Sequence, residues 1–504
     1  MKLLLNMVTI TYFAAALSLM CYGLNCYLMI ALFKRRRKQA LGSSRELLSK
    51  HEDLLERDHL PPVTTQIPLF NEYNVAERVM RAVALMHYPK ARHEIQVLDD
   101  SNDETRELVD RVAAELKAEG YDIRVMRREQ RTGYKAGALA HGLAQARGEL
   151  IAVFDADFAP PPEFWQLTIP HFLEDDQLGL VQARWGHLNR RHSLLTRAQS
   201  IGIDGHFIVE QGARAWNGLF MNFNGTCGVW RKRAIEAAGG WEWDTLTEDM
   251  DLSYRMQLAG WGVRYLPELV VPGEIPEDVN AFKSQQFRWA KGSIQTARKI
   301  LPRLLRAPVG RFRKLQAFFH LTHYCVHPLM LTLSLLALPV LVNLDITIGP
   351  LVFGLLATCL LLAMTAPSAL YLVSQRAAYP DWGRRILILP ALVVVGVGIA
   401  LSNTRAVAEA LAGVESGFIR TPKSGDTEKK RYRIALPWLG LAECGLGLYC
   451  AYSLHHYLLQ AKYLVGPFLA IYAAGFLYIG ALTLAHALGF GQRGKQAVST
   501  KAGA

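Results

Sequence analysis

The sequence predicts an α/β domain with a mostly parallel sheet, inserted between transmembrane α-helices, so that the whole chain is an integral membrane protein. Three observations carry this reading. Long apolar runs are bunched at both ends of the 504 residues, a stretch of ordinary soluble composition lies between them, and that stretch alternates strand-like with helix-like segments.

The elements follow in order. Leu3 to Phe33 is almost uninterrupted apolar sequence, longer than a signal-peptide core and longer than the ~20 residues that span a bilayer. Residues 1–33 therefore read as an N-terminal transmembrane helix. Lys34-Arg35-Arg36-Arg37-Lys38 follows it directly, which places its C-terminal end in the cytoplasm. Residues 34–60 read as a basic, helix-compatible juxtamembrane linker. Within a cytoplasmic domain spanning 61–305, Thr64–Ile67, Ile95–Leu98, Ile123–Met126 and Leu150–Phe154 are short apolar or β-branched runs. Ala76–Met86, Glu104–Ala118 and Tyr134–Ala146 are helical stretches between them. Such alternation sets ligand groups at the strand ends.

A membrane region follows over 306–489. Ala317–Leu344 with Ile346–Val373, and Ala435–Leu459 with Tyr463–Leu488, are long enough to span. Ile386–Leu401 is shorter and contains Pro390. If it crossed fully, the basic stretch Arg420–Arg433 would face outward, against the positive-inside pattern. Residues 386–411 are therefore read as interfacial or re-entrant, and 490–504 as a cytoplasmic tail.

Composition narrows the function. The net charge is +12, but its basic residues sit beside apolar runs and no recognition motif accompanies them, which argues against nucleic acid. The seven cysteines include no CxxC pair, so neither zinc nor redox chemistry is indicated.

Six short segments carry the chemistry, each with a plainer alternative. Ile67-Pro68-Leu69-Phe70-Asn71-Glu72 ends the first strand, where Pro68 and Glu72 can open a pocket for a nucleobase; the alternative is a helix entry capped by Asn71. Asp99 and Asp100 end the second strand and can accept hydrogen bonds from base and ribose, or simply form a solvated turn. Arg131-Thr132-Gly133-Tyr134-Lys135 opens a helix of small residues. Lys135 can meet a phosphate there, or the small residues can serve packing. Asp155 and Asp157 follow an apolar strand. Two apart, they point to one side of a strand, Asp155 towards the ribose and Asp157 as a ligand for Mg²⁺ or Mn²⁺. Thr247-Glu248-Asp249 supplies a general base in Asp249 with Glu248 beside it; it also reads as a helix start capped by Thr247. Gln285, Arg288 and Trp289 close the set. Arg288 suits a departing diphosphate and Trp289 a sugar ring, unless the segment is an interfacial helix with an aromatic anchor.

In this order the segments resemble the processive, inverting family-2 glycosyltransferases, and most closely the cellulose-synthase-like glucan and mannan synthases. The longer matching strings are Gln96–Ser101, Gly133–Leu139, Leu180–Trp185, Phe223–Trp230 and Glu248–Leu252. Phe418-Ile419-Arg420-Thr421-Pro422-Lys423 looks like that family's gating loop (417–424), with Phe418, Thr421 and Lys423 as its contacts. Phe70 stands where tyrosine is often seen, and Phe287 where plant relatives usually carry histidine. The resemblance implies a GT-A-type domain that takes a nucleotide-sugar donor and a growing polysaccharide acceptor. UDP-glucose leads GDP-mannose as donor. Asn224, Gly225, Thr226 and Trp289 would form the acceptor site, and Gln285 would join the donor side. The lipid bilayer is the remaining partner, with no export partner identified. The nearest rival is a non-processive enzyme that glycosylates a lipid. A pure transporter would carry its ionisable residues inside the spans.

Overall fold

The computed structural model describes residues 2–57, 59–347, 350–415, 437–461, 463 and 465–487. Helix α1 (Lys2–Ser49) holds the apolar run, the basic cluster and the start of the linker in one piece. At 1.5 Å per residue it is about 72 Å long, over twice the ~30 Å hydrocarbon thickness. The linker is thus first a continuation of the membrane helix, and only its last residues turn into the domain.

Strands β1 (Val63–Leu69), β2 (His93–Asp99), β3 (Asp122–Met126), β4 (Leu150–Val153), β5 (Leu178–His187), β6 (Gly228–Arg231) and β7 (Gly262–Gly273) form one seven-stranded sheet. Its order is β3-β2-β1-β4-β6-β5-β7. β1 runs parallel to β2 and β4, β2 to β3, and β5 to β7, while β6 is antiparallel to both its neighbours. Winding proceeds outward from β1 to β3, then reverses to place β4 on β1's other side. That switch opens a crevice at the C-terminal ends of the strands, where ligands bind in sheets of this kind.

Helices cover both faces. α2 (Tyr73–Ala84), α3 (Thr105–Ala118), α4 (Tyr134–Gln145) and α5 (Phe164–Glu174) connect the strands. One core gathers Val79, Val109 and Trp165 on one face of the sheet, and a second gathers Leu139, Trp230 and Leu252 on the other. Burial on both faces explains why the strands read as near-continuous apolar runs. β1 and β2 also carry buried Gln66 and Gln96, whose side chains bond each other at 3.0 Å; the bond satisfies one polar atom of each amide and so offsets part of the cost of polar burial.

α6 (Leu194–Asp204) runs through a π-helical segment (Gly205–Gln211) into α7 (Gly212–Trp216). This helix leaves the domain and packs Ile208, Val209 and Ala213 against Met29 and Phe33 of α1. After α8 (Lys232–Ala237) and α9 (Glu248–Leu258), α10 (Val279–Arg306) starts with Asp278 accepting from the Asn280 and Ala281 amides. α10 is then tied to the membrane helices by buried ion pairs. Lys283 donates to Glu443 at 2.6 Å and to Thr483 at 3.2 Å, and Lys291 donates to Glu409 at 2.9 Å.

The membrane part comprises α11 (Arg311–Leu321), α12 (Val326–Thr347), α13 (Pro350–Ala378), α14 (Trp382–Arg385), α15 (Leu389–Gly398), α16 (Ala400–Ala412), α17 (Pro437–Leu459) and α18 (Gly466–Ala487). The apolar run beginning at Ala317 is broken. Ala317 belongs to α11, and the crossing helix starts at His323. Among the described residues, four helices are long and apolar enough to cross a membrane: Asn6–Glu56, His323–Leu341, Thr358–Ala378 and Gly466–His486. Trp382–Gly398 and Ala400–Ala412 meet at a 43° bend and would make a fifth span if counted as one. α17 falls outside that criterion, and it holds Glu443, fully buried against Lys283. The gating-loop reading (Phe418, Thr421, Lys423), the basic stretch Arg420–Arg433 and the tail lie outside the described residues.

Candidate active site

The crevice at the strand ends is lined by Pro68, Glu72, Asp100, Lys135, Asp155, Asp157, Asn224, Gly225, Glu248, Asp249, Gln285, Arg288 and Trp289. Residues from seven segments spread over more than two hundred positions thus face one space. Two sequence candidates do not reach it. Asp99 is fully buried, bound to Arg127 at 2.9 Å and accepting from the Ser101 amide. Thr226 lies behind the wall, where its hydroxyl accepts from the Asp155 amide at 2.9 Å.

Each local motif is held by a neighbour. The loop after β1 turns through Asn71 at φ 56°, so Asn71 does not cap α2, whose first position is preceded by Glu72. Instead the Asn71 amide donates to Ser101 and its side chain exchanges two bonds with Asn102, locking the β1 and β2 loops together. Asp100 is clasped by Arg128 through both oxygens. In the small-residue stretch, Ala136, Gly137 and Leu139 are buried in packing, and only Lys135 and Ala138 reach the cavity.

Asp155 and Asp157 lie past the end of β4, in the turn that follows it. Strand alternation therefore does not bring them together; the turn does. Lys135 Nζ bonds Asp155 Oδ1 at 2.5 Å and the Gly225 carbonyl at 2.8 Å. Gly225 sits at φ 78°, and a Cβ there would come within 3.3 Å of Asp249 Oδ2 and 3.4 Å of Lys135 Nζ. The positive φ favours glycine, and a side chain would also have to press on these two groups. Asp155 and Asp157 supply hard oxygen donors on one wall, the donor chemistry that Mg²⁺ or Mn²⁺ takes beside a phosphate, so these residues fit such an ion. A second acidic group, Glu242, Asp244 and Asp251, is already occupied by Lys299, which bonds all three.

Thr247 precedes α9 but does not cap it with its side chain, which turns to the Thr296 hydroxyl at 3.1 Å. α10 holds this loop from behind. Gln295 accepts from the Leu246 amide at 3.0 Å, and Gly292 lets the helix close on the backbone of Leu246 and Thr247. So Glu248 and Asp249 enter the cavity from one side of α10's contact, and Gln285, Arg288 and Trp289 enter from α10 itself.

The electrostatics follow from that crowding. Burial, then the adjacent Glu248 carboxylate, raises the Asp249 carboxyl well above its ordinary range, against the pull of Lys135. Burial also raises Glu248. For Lys135 burial works downward, but Asp155, Glu248 and Asp249 more than reverse it and hold the ammonium charged. Burial brings Arg288 down to about 10, opposed by Glu248 and Asp155, so it stays cationic at neutral pH. Asp249 is thus a raised carboxyl beside Lys135, with Arg288 coupled to Glu248 and Asp155.

Sequence reasoning did not single out Phe70, Arg131, Trp185, His187 or Glu274 as lining residues. Arg131 lies flat on the Phe70 ring, 3.3 Å from its centroid, and is charge-paired at longer range to Asp100. Trp185 and His187 are two apart at the end of β5, so strand periodicity was the available signal. His187 is fixed by Asp204 at 3.0 Å.

With this geometry, residues 61–292 match a family profile described as "Glycosyltransferase like family 2". Among curated proteins, Glucomannan 4-beta-mannosyltransferase 2 of Arabidopsis thaliana is 39% identical over 302 residues, covering 57% of this chain and 57% of that protein. Glucomannan 4-beta-mannosyltransferase 7 of the same plant is 33% identical over 446 residues, covering 83% and 77%. Of the first four such relatives the chain spans only 52% to 57% of the length. Among solved structures, the mannosyltransferase PcManGT from Pyrobaculum calidifontis, in complex with GDP-Man and Mn²⁺, is 18% identical with a TM-score of 0.49, over 77% of this chain and all of that one. An identity of one third maintained across catalytic domain and membrane helices is more than a shared motif: the chain belongs to the family-2 glycosyltransferases, in the cellulose-synthase-like branch with the glucomannan mannosyltransferases.

Proposed function

We propose that this glycosyltransferase is a processive, inverting β-glycan synthase with GDP-mannose as its first donor and UDP-glucose as its second. The names of the plant relatives support mannose ahead of glucose, reversing the order the motifs suggested. The observation that carries the reading is the single cavity in which Lys135, Asp155, Asp157, Asp249, Arg288 and Trp289 meet.

In this reading Pro68, Glu72, Asp100 and Arg131 receive the nucleoside, and Asp155 and Asp157 would hold the divalent ion. When bound, that ion neutralises charge on the diphosphate. The Asp249 carboxylate takes the proton of the acceptor hydroxyl. The hydroxyl oxygen bonds the anomeric carbon as the bond to phosphate breaks, and the nucleoside diphosphate leaves with that electron pair. Attack from the opposite face converts an α-linked donor to a β-linked product. Lys135 and Arg288 stabilise the anion as it forms, and the proton on Asp249 passes to solvent. Trp289, with Asn224 and Gly225, forms the acceptor end, where a sugar's apolar face leaves water on the indole. The catalytic domain faces the cytoplasm and the product emerges among the membrane helices.

The test is to supply the purified full-length protein with radiolabelled GDP-mannose and, separately, UDP-glucose, and to size the product with time. Long β-linked chains from GDP-mannose at early times are expected. A product consisting only of a lipid with one sugar would overturn processivity in favour of a lipid glycosyltransferase.

A further inference from the structure

Behind Asn224 lies a chain of polar contacts that the proposed catalytic steps do not use, and its hydrogen-bond logic has one solution. Buried His320 is kept neutral by desolvation. The Phe223 carbonyl takes Asn222 Nδ2, which turns Asn222 Oδ1 towards His320 Nε2 at 3.1 Å; Nε2 therefore carries the single imidazole proton, and Nδ1 accepts from the Tyr254 hydroxyl at 2.8 Å. Asn222 Nδ2 also donates, at 3.3 Å, to Asn224 Oδ1. Asn224 Nδ2 in turn points at the Asn222 carbonyl at 3.4 Å. Turning the Asn224 amide over would set nitrogen against nitrogen and oxygen against oxygen, so Asn224 Oδ1 is an acceptor in this site.

His206 stands opposite, in the π-helical segment. Its Nε2 lies 2.8 Å from Asn224 Oδ1, and its Nδ1 lies 3.0 Å from Glu210 Oε2. Both ring nitrogens therefore face oxygen atoms, an arrangement that a doubly protonated ring satisfies. Glu210 is ionised to match: burial would raise its carboxyl, but His206 by hydrogen bond and charge, then Arg214 and His323, bring it below its ordinary value. A π-helical turn is itself rare and concentrates at functional positions; here it places an imidazolium under the turn that touches Asp249 and Lys135.

We propose that His206, as an imidazolium paired with Glu210, is a positioning residue that fixes the Asn224–Gly225 turn against Asp249 so that the acceptor hydroxyl meets its base. The inference rests on reading this end of the cavity as the acceptor end. It concerns transfer to a sugar, and touches the slow loss of the donor sugar to water much less.

The experiment compares the full-length enzyme with His206→Leu, His206→Gln and Glu210→Gln, measuring transfer to mannotetraose and donor hydrolysis without acceptor. The donor reading is judged on the wild type alone, by which nucleotide sugar it consumes; the variants are then run with that sugar, so the two ideas fail separately. Loss of a charge-assisted hydrogen bond predicts that His206→Leu lowers the ratio of transfer to hydrolysis about tenfold, chiefly through the acceptor KM. His206→Gln, whose amide can donate to Asn224 Oδ1, recovers most of that loss. Glu210→Gln removes the charge paired with the ring, but its amide can either accept from Nδ1 or donate to it, so the ratio falls less than in His206→Leu. Combining it with His206→Leu adds nothing further. Should His206→Leu not fold, His206→Ala takes its place. An unchanged transfer-to-hydrolysis ratio in folded His206→Leu or His206→Ala, or additive losses in the double variant, would overturn the proposal.

Discussion

Neighbouring carboxylates in this protein have been given opposite duties by their surroundings. Asp99 and Asp100 are adjacent, yet Asp99 is sealed against Arg127 while Asp100 borders the cavity. Asp99→Asn is expected to cost stability, seen as a lower unfolding midpoint, since it weakens the buried carboxylate's charge-assisted bond to Arg127; Asp100→Asn should mainly weaken nucleotide binding in a titration. Asp249→Asn should lower transfer by about 10²–10⁴-fold with donor binding retained, and near-normal turnover in a folded variant would rule out its role as base. The same residue sets the pH dependence. A base works ionised, and burial with Glu248 raises the Asp249 carboxyl, so protonation sets in at higher pH than for an exposed aspartate near 3.9. Activity should fall on acidification well before ordinary carboxylates titrate, and a profile flat down to pH 5 would count against it. Sequence spacing could name these residues but not sort them, because pairing and burial are three-dimensional.

Helix α10 is the element on which the site turns. It carries Gln285, Arg288 and Trp289 into the cavity, supports the Thr247–Asp249 loop through Gly292, Gln295 and Thr296, and is anchored to α17 and α18 by Lys283. A methyl at Gly292 would come within 2.6–2.9 Å of Thr247 and the Leu246 carbonyl carbon. Gly292→Ala is therefore expected to displace Asp249 and reduce turnover more than stability, which parallel kinetics and thermal unfolding would separate. Glu443→Ala strands the Lys283 ammonium in a buried site and should cost about 3–5 kcal/mol, measurable as loss of the folded enzyme on heating in detergent. The sequence marks α10 as a helix with an aromatic segment. That it supports a loop nearly fifty positions earlier follows only from packing.

At the scale of the whole molecule, the catalytic domain is joined to its membrane helices by α1, by the α6–π–α7 helix and by α10, the last of which also lines the cavity. If Asp155 and Asp157 hold a hard cation, excess EDTA should abolish transfer and Mg²⁺ or Mn²⁺ should restore it; full activity in chelator would refute that assignment. Trp289→Ala should shorten the polymer or abolish it. The basic clusters around α1 and α11 favour a cytoplasmic domain, and a cysteine placed at Ser424 should react with an impermeant thiol reagent only after cells are permeabilised. Labelling in intact cells would make the bent pair α14–α16 a full crossing.

The sequence by itself determined the architecture and the inventory: apolar runs long enough to cross a bilayer, alternating strands and helices between them, and six segments whose residues suit a nucleotide sugar. These are local properties, because hydrophobic periodicity, chain length and residue chemistry are written position by position. Tertiary structure decided what no local pattern encodes. It withdrew Asp99 and Thr226 from the cavity, and brought Asp155 and Asp157 together by a turn where strand alternation was expected. It moved the start of the crossing helix from Ala317 to His323, laid Arg131 on Phe70, and set His206 beneath Asn224. Each of those outcomes depends on which partner fills a given space and which hydrogen-bond acceptor faces which donor, and those partners are chosen by packing between segments far apart in the chain.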